Sequence, residues 1–149
     1  MTEAAPAPPT AQLGWREWVA LPELGLTRIK AKVDTGARTS ALHAFSIRSR
    51  QRGGLVMLEF GVHPVQGNTD IEHWVEVPAV DQRMVTDSGG HRERRWVIRT
   101  PVRWREREWP IEMTLTDRDN MRFRMLLGRT ALRDGGLTVD PARSYMGGH

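Results

Sequence analysis

The residues whose types and order could do chemistry stand together at Asp34-Thr35-Gly36-Ala37. They follow a segment, Leu26–Val33, in which Ile29, Ala31 and Val33 alternate with Arg28, Lys30 and Lys32, the period-two pattern of a strand. An aspartate at a strand end, followed by a glycine free to turn tightly, sets a carboxylate on a rigid support facing a cavity. Taken alone, the triplet is short enough to be an ordinary strand-ending turn. A second element accompanies it: Met125-Leu126-Leu127-Gly128-Arg129-Thr130-Ala131-Leu132, an apolar strand that meets Gly-Arg and then a short helix.

In this order the two elements resemble the retropepsin-like aspartic proteases. Each subunit of that superfamily carries Asp-Thr/Ser-Gly-Ala near its start and two apolar residues plus glycine, commonly Gly-Arg, before a single helix near its end. The longer strings KVDTGARTSALHA, RWVIRTPV, MLLGRTAL and Val139-Asp140-Pro141 resemble a bacterial family labelled ATP-dependent zinc protease, over roughly residues 14–146. The resemblance implies an all-β, retropepsin-like single-lobe barrel with one short helix near the C-terminus. It implies that Asp34 is catalytic, that Thr35, Gly36 and Ala37 support its loop, and that Leu126, Leu127, Gly128 and Arg129 thread beneath it. In the family the hydroxyl at the Thr35 position reaches across a dimer, and the glycine at Gly36 leaves room for substrate backbone.

Peptide hydrolysis by this route needs two carboxylates that share a proton, one activating water while the other protonates the carbonyl oxygen. A chain of 149 residues with one such motif completes the pair only on a twofold axis, so an isologous homodimer is expected, with Asp34 facing its mate. The expected substrate is a peptide or protein. Such proteins are often found beside a ligase that adds glutamates, which points to an acidic or glutamylated one.

Departures from the family sharpen the expectations. Retroviral members have an acidic residue two positions after the triplet, where this chain has Arg38, so Arg129 must find another carboxylate. Thr86-Asp87-Ser88-Gly89-Gly90 contains Asp-Ser-Gly, the other spelling of the triplet, but only one apolar-apolar-Gly-Arg element exists to support such a loop. The segment therefore reads as a glycine-rich hairpin tip. By the resemblance, Asp87, Ser88, Gly89, Gly90 and His91 fall where the family has its flap. His43 and Arg118 are candidate substrate contacts; His43 also reads as a structural histidine, and Arg118 as a partner of Asp117 or Asp119. The zinc label finds no ligand set. There is no cysteine and no His-Glu-x-x-His, and His43, His63, His73, His91 and His149 show no i, i+4 pairing. Neither Lys30 nor Lys32 follows a glycine, which excludes a phosphate loop, so no metal and no cofactor are expected.

The chain is long enough for one domain with a core and too short for two ordinary ones. Residues 1–12, with Pro6, Pro8 and Pro9 interleaved with alanine, read as a disordered leader, leaving 13–149 as the retropepsin-like domain. Strand-like alternation marks Trp15–Leu21, Leu26–Val33, Ala41–Arg50, Leu55–Val62, His73–Val80, Arg94–Val102, Trp109–Thr116 and Met121–Leu127, and Thr130–Asp134 reads as a short helix stopped by Gly135-Gly136. No stretch approaches the roughly 20 apolar residues of a membrane span, and the start lacks the pattern of a secretory signal. With zero cysteines added, a cytoplasmic protein with no membrane partner is expected.

Lys30 and Lys32 are the only lysines, so the net charge of +4 is carried almost wholly by arginine. From Arg83 to Arg107 eight arginines face only Asp87, Glu93 and Glu106, with Trp96, Trp104 and Trp109 interleaved. Arginine on phosphate and tryptophan against bases would make a nucleic-acid surface. The alternation of Arg103, Arg105 and Arg107 instead favours strands whose tryptophans face the core and whose arginines face water, so nucleic acid is not the expected partner. Two functional readings result: an aspartic peptidase working through paired Asp34 residues, or a non-catalytic binding module of the same fold for acidic peptides or RNA.

Overall fold

The computed structural model describes residues 11–86, 89–117 and 123–148. The leader up to residue 10, Asp87 and Ser88 of the expected flap, and Arg118 lie outside the described residues. Twelve strands and one short helix are described: β1 (Ala11–Leu13), β2 (Arg16–Leu21), β3 (Leu26–Asp34), β4 (Ser40–His43), β5 (Ser46–Arg52), β6 (Leu55–Val62), β7 (His73–Pro78), β8 (Asp81–Thr86), β9 (Arg92–Trp104), β10 (Arg107–Thr116), β11 (Met125–Gly128), α1 (Arg129–Asp134) and β12 (Leu137–Val139). No helix among the described residues is long and apolar enough to cross a membrane.

Alternation in sequence becomes alternation in burial. Along β2 every second residue, Glu17, Val19 and Leu21, is buried, and along β3 Ile29, Ala31 and Val33 are. The strands pair in the order β10-β4-β11-β3-β2-β9, and β9 pairs again with β10, so six strands close into a barrel-like ring. One rung, Ala20 opposite Arg103, joins β2 to β9. Leu42, Met113, Leu115, Met125, Leu127, Ile98 and Trp104 fill the interior, each under a few per cent exposed. Burying a side chain of this size contributes about 1.5–3 kcal/mol.

The segment read as a single strand, Ala41–Arg50, is two. β4 belongs to the ring, and after Ala44-Phe45 the chain enters a separate sheet, β5-β6-β7. The switch is made where the Ala44 amide donates to the Thr116 carbonyl of β10 and the Phe45 amide to the Gly61 carbonyl of β6. A Cβ at Gly61 would lie 2.3 Å from the Phe45 ring, so only glycine admits that crossing. β8, unread in the sequence, pairs with the first half of β9 from Asp81–Val97 to Thr86–Arg92, while the second half of β9 pairs with β10.

The ends of the domain are tied together. β1 pairs in parallel with β12, from Ala11–Leu137 to Leu13–Val139, so residues 11 and 12, read as leader, belong to a strand. Beyond β12 a strap over residues 140–147 runs beside β1 and β2, with Asp140 N–H donating to Leu13, Trp15 N–H to Arg143 and Tyr145 N–H to Arg16. Gly14 permits this approach, since a Cβ there would sit 2.1 Å from the Arg143 carbonyl oxygen. Beneath the strap lies Glu17, fully buried. Its carboxylate accepts four N–H groups, from Gly14, Met146, Gly147 and the Trp104 indole, at 2.8–2.9 Å. A buried carboxylate is tolerable only when its oxygens are satisfied in this way.

Candidate active site

Asp34 ends β3, and the parallel rung Gly128–Asp34 brings the Gly-Arg element of β11 directly alongside it. Past Asp34 the chain turns through Thr35-Gly36, and the Asp34 carboxylate folds back on its own loop. Oδ1 accepts the amides of Gly36 at 3.0 Å and Ala37 at 3.2 Å, while Oδ2 accepts none among the described residues. Asp34 is half-buried, whereas Thr35 and Gly36 are exposed. One carboxylate oxygen is thus fixed by backbone while the other has no hydrogen-bond partner among the described residues, an arrangement that leaves an oxygen for a water or a second acid.

The loop rests on the start of α1. Arg129 N–H donates to the Ala37 carbonyl at 2.7 Å and Thr130 N–H to the Arg38 carbonyl at 3.1 Å, so the carbonyls of the loop consume the free amides of the helix start. Gly128 N–H donates to the Ser40 hydroxyl at 2.9 Å. A Cβ on Gly128 would lie 2.6 Å from the Thr39 carbonyl carbon, which is why glycine stands here: the strand passes directly beneath the loop. Leu127 is buried in the core and Leu126 half-buried on the outer side. Among the described residues Arg129 has no carboxylate partner. Its guanidinium reaches the Thr35 carbonyl at 3.5 Å, so the expected ion pair is replaced by a contact to backbone.

His43 requires a correction. It is 2% exposed, at the end of β4 away from the loop, where it faces Thr116 across the rung and its amide donates to the Arg124 carbonyl. It is therefore a core residue and not a substrate contact in this structure. Of the flap residues, Gly89, Gly90 and His91 are exposed at the tip of the β8–β9 hairpin. The base of that hairpin is fastened by Arg83, which donates to Asp81 and to Glu112 of β10, both at 2.7 Å. The Arg83 hydrogen bond, followed by the Gln82 amide, holds the Asp81 carboxyl below its usual range.

Among the described residues no donor set suits zinc. His63 is stacked on Phe45 and bonded to the Ile71 carbonyl, and His73 is bonded to the Leu24 carbonyl. Among the described residues no group of three or more His, Asp or Glu side chains is placed to hold a metal ion.

A β-ring in which an Asp-Thr-Gly loop sits over an apolar-Gly-Arg strand and a single short helix is the retropepsin-like architecture, in one lobe. Residues 12–148 match the RimB-like family, described as "Retropepsin-like aspartic endopeptidase RimB", and the chain belongs to that family. It is 45% identical over 130 residues to a "Probable alpha-L-glutamate ligase" of Desulfotalea psychrophila and 47% identical over 133 residues to one of Parasynechococcus marenigrum. Those matches cover 87% and 89% of this chain but 28% of each relative, so the chain spans under a third of their length. Neither name mentions zinc. A Legionella pneumophila protein of unknown function has the same fold, with a TM-score of 0.77 and 27% identity over 92% of this chain and 98% of that one.

Proposed function

We propose that the protein is an aspartic-type peptidase that assembles its dyad from two copies of Asp34 in a homodimer. The observation that carries this reading is the Asp34 loop, with Oδ1 held by two amides, Oδ2 open, and the exposed Thr35-Gly36 turn available to a second subunit. Across a twofold axis one carboxylate takes a proton from a water molecule as the water oxygen attacks the peptide carbon, and the other, protonated, gives its proton to the carbonyl oxygen. Collapse of the tetrahedral species breaks the C–N bond, with a proton passing to the leaving amine. A glutamate-rich substrate is supported by the names of the relatives, in which a domain like this one forms part of a protein named as a glutamate ligase.

Light scattering together with Asp34→Asn tests the proposal. The expected result is a dimer whose peptide hydrolysis falls by about 10²–10⁴-fold or more on substitution, with the fold intact. A wild-type chain that is monomeric under all assay conditions, or an Asn variant as active as wild type, overturns it and leaves the binding-module reading in its place.

A further inference from the structure

Arg28, Lys30, Lys32 and Asp34 occupy every second position of β3 and so share its outer face. Successive members of such a row are about 6.8 Å apart, twice the rise per residue. β2 sets Trp18 opposite Lys30 and Arg16 opposite Lys32, and the C-terminal strap lays Tyr145 over Trp18, the rings stacked with centroids 6.2 Å apart. The cations lie on these rings. The Arg28 guanidinium is 4.1 Å from the Trp18 centroid, the Lys30 ammonium 5.1 Å from Trp18 and 5.7 Å from Tyr145, and the Arg16 guanidinium 4.6 Å from Trp15 and 4.9 Å from Tyr145. Among the described residues none of Arg16, Arg28, Lys30 and Lys32 has a carboxylate within 4.0 Å, whereas Arg50, Arg83, Arg95 and Arg103 each have one. Aromatic rings therefore hold these side chains in place without neutralising them, and the row of like charges leads to the candidate catalytic carboxylate.

We propose that this face is a docking track for an extended acidic peptide, which Arg28, Lys30 and Lys32 hold by alternate carboxylates as it runs along β3 toward Asp34. An extended peptide places side chains of one side at the same spacing of about 6.8 Å, so carboxylates two residues apart match the cations one for one. Nucleic acid is the poorer occupant, because Trp18 is already covered by Arg28 and Tyr145 and offers no open platform for a base. The direction of the track rests on the peptidase reading of Asp34; the binding itself does not.

The test uses the full chain carrying Asp34→Asn, so that binding is measured without cleavage, and fluorescence anisotropy with three probes: a labelled decaglutamate, a decaglutamine and a ten-nucleotide oligouridine. Decaglutamate is expected to bind, decaglutamine not, and oligouridine at least tenfold more weakly than decaglutamate. R28Q/K30Q/K32Q should weaken decaglutamate at least tenfold, while R92Q/R94Q, exposed arginines of the hairpin, should leave it within twofold. Among the described residues Lys32 lies over no ring, so K32Q alone, expected to cost about threefold, removes a charge with the stack intact and guards against misfolding of the triple variant. Unchanged binding in both β3 variants overturns the track, and tighter binding of oligouridine overturns the choice of occupant. Decaglutamate binding that depends on β3, in a chain with no hydrolytic activity at wild-type Asp34, would retain the track and remove the peptidase.

Discussion

Two basic regions of this molecule differ in a way that charge counting does not reveal. The stretch from Arg83 to Arg107 is the more cationic in sequence, yet Arg83, Arg95 and Arg103 are each paired with carboxylates. Arg105 and Arg107 are turned onto the carbonyls of Met146 and Gly135. The tryptophans there point inward, Trp104 and Trp109 buried and Trp96 half-buried. The β2–β3 face holds four cations and no paired carboxylate among the described residues. Free charge depends on what lies within about 4 Å, and an aromatic ring orders a cation while leaving its charge available.

The comparison breaks most severely at Glu17, which carries the floor of the β2–β3 face. Glu17→Ala leaves four donors without their acceptor, the Gly14 amide and the Trp104 indole among them buried, and should cost roughly 3 kcal/mol in urea unfolding, with the strap and Tyr145 released. Retention of wild-type stability would mean that the backbone hydrogen bonds and packing of the strap hold it without Glu17. Next in size, Trp18→Ala removes the ring beneath Arg28 and Lys30 without changing any charge. The expected loss is about 1–2 kcal/mol, together with weaker decaglutamate binding, because the cations regain rotamer freedom. An affinity equal to wild type would show that charge suffices and alignment contributes nothing.

Arg83→Met tests the opposite region. Its partners are exposed (Asp81) or half-buried (Glu112), so global stability should fall by less than about 1 kcal/mol, while hydrogen exchange of the β8 amides accelerates. Smallest of all is the effect of pH on that anchor. A carboxyl whose value is lowered in the fold contributes stability above its unfolded value and loses it as pH falls through the folded one. The Arg83–Asp81 contribution is therefore constant from pH 8 to 5 and fades only below about pH 4. Amide exchange in β8, followed by NMR as the pH is lowered, reads this directly; a change centred near pH 6 would point to another group.

Many strands of both the ring and the separate sheet were legible because they alternate locally: the body of β3 in the ring and Leu55–Val62 in the β5-β6-β7 sheet read directly as strands. What escaped depends on distant partners. β1 and β12 are three residues each and gain meaning only by pairing across the whole chain. The break between β4 and β5 is set by Gly61, not by any residue within the segment. Glu17 shares the face of Val19 and Leu21 in β2, and nothing local announces that four donors converge on its carboxylate. At the site, Asp34 and Gly128 were recognisable as paired motifs, while the Thr35 contact of Arg129 was not, since a backbone carbonyl leaves no mark in sequence. The cations of β3 were visible as a row, but Tyr145, which helps order them, comes from the far end of the chain.

The parallel course of the two ends has a mechanical consequence. β12 and the strap run in the same direction as β1 and β2, so opposed pull on the ends of the described domain tries to slide them past each other. The β1–β12 rungs, the strap amides and the four bonds to Glu17 are then loaded together in shear and not opened one at a time like a zipper. A three-residue pairing that looks like an ornament of the fold becomes part of a clamp, stiff along the one axis on which a tethered protein is pulled.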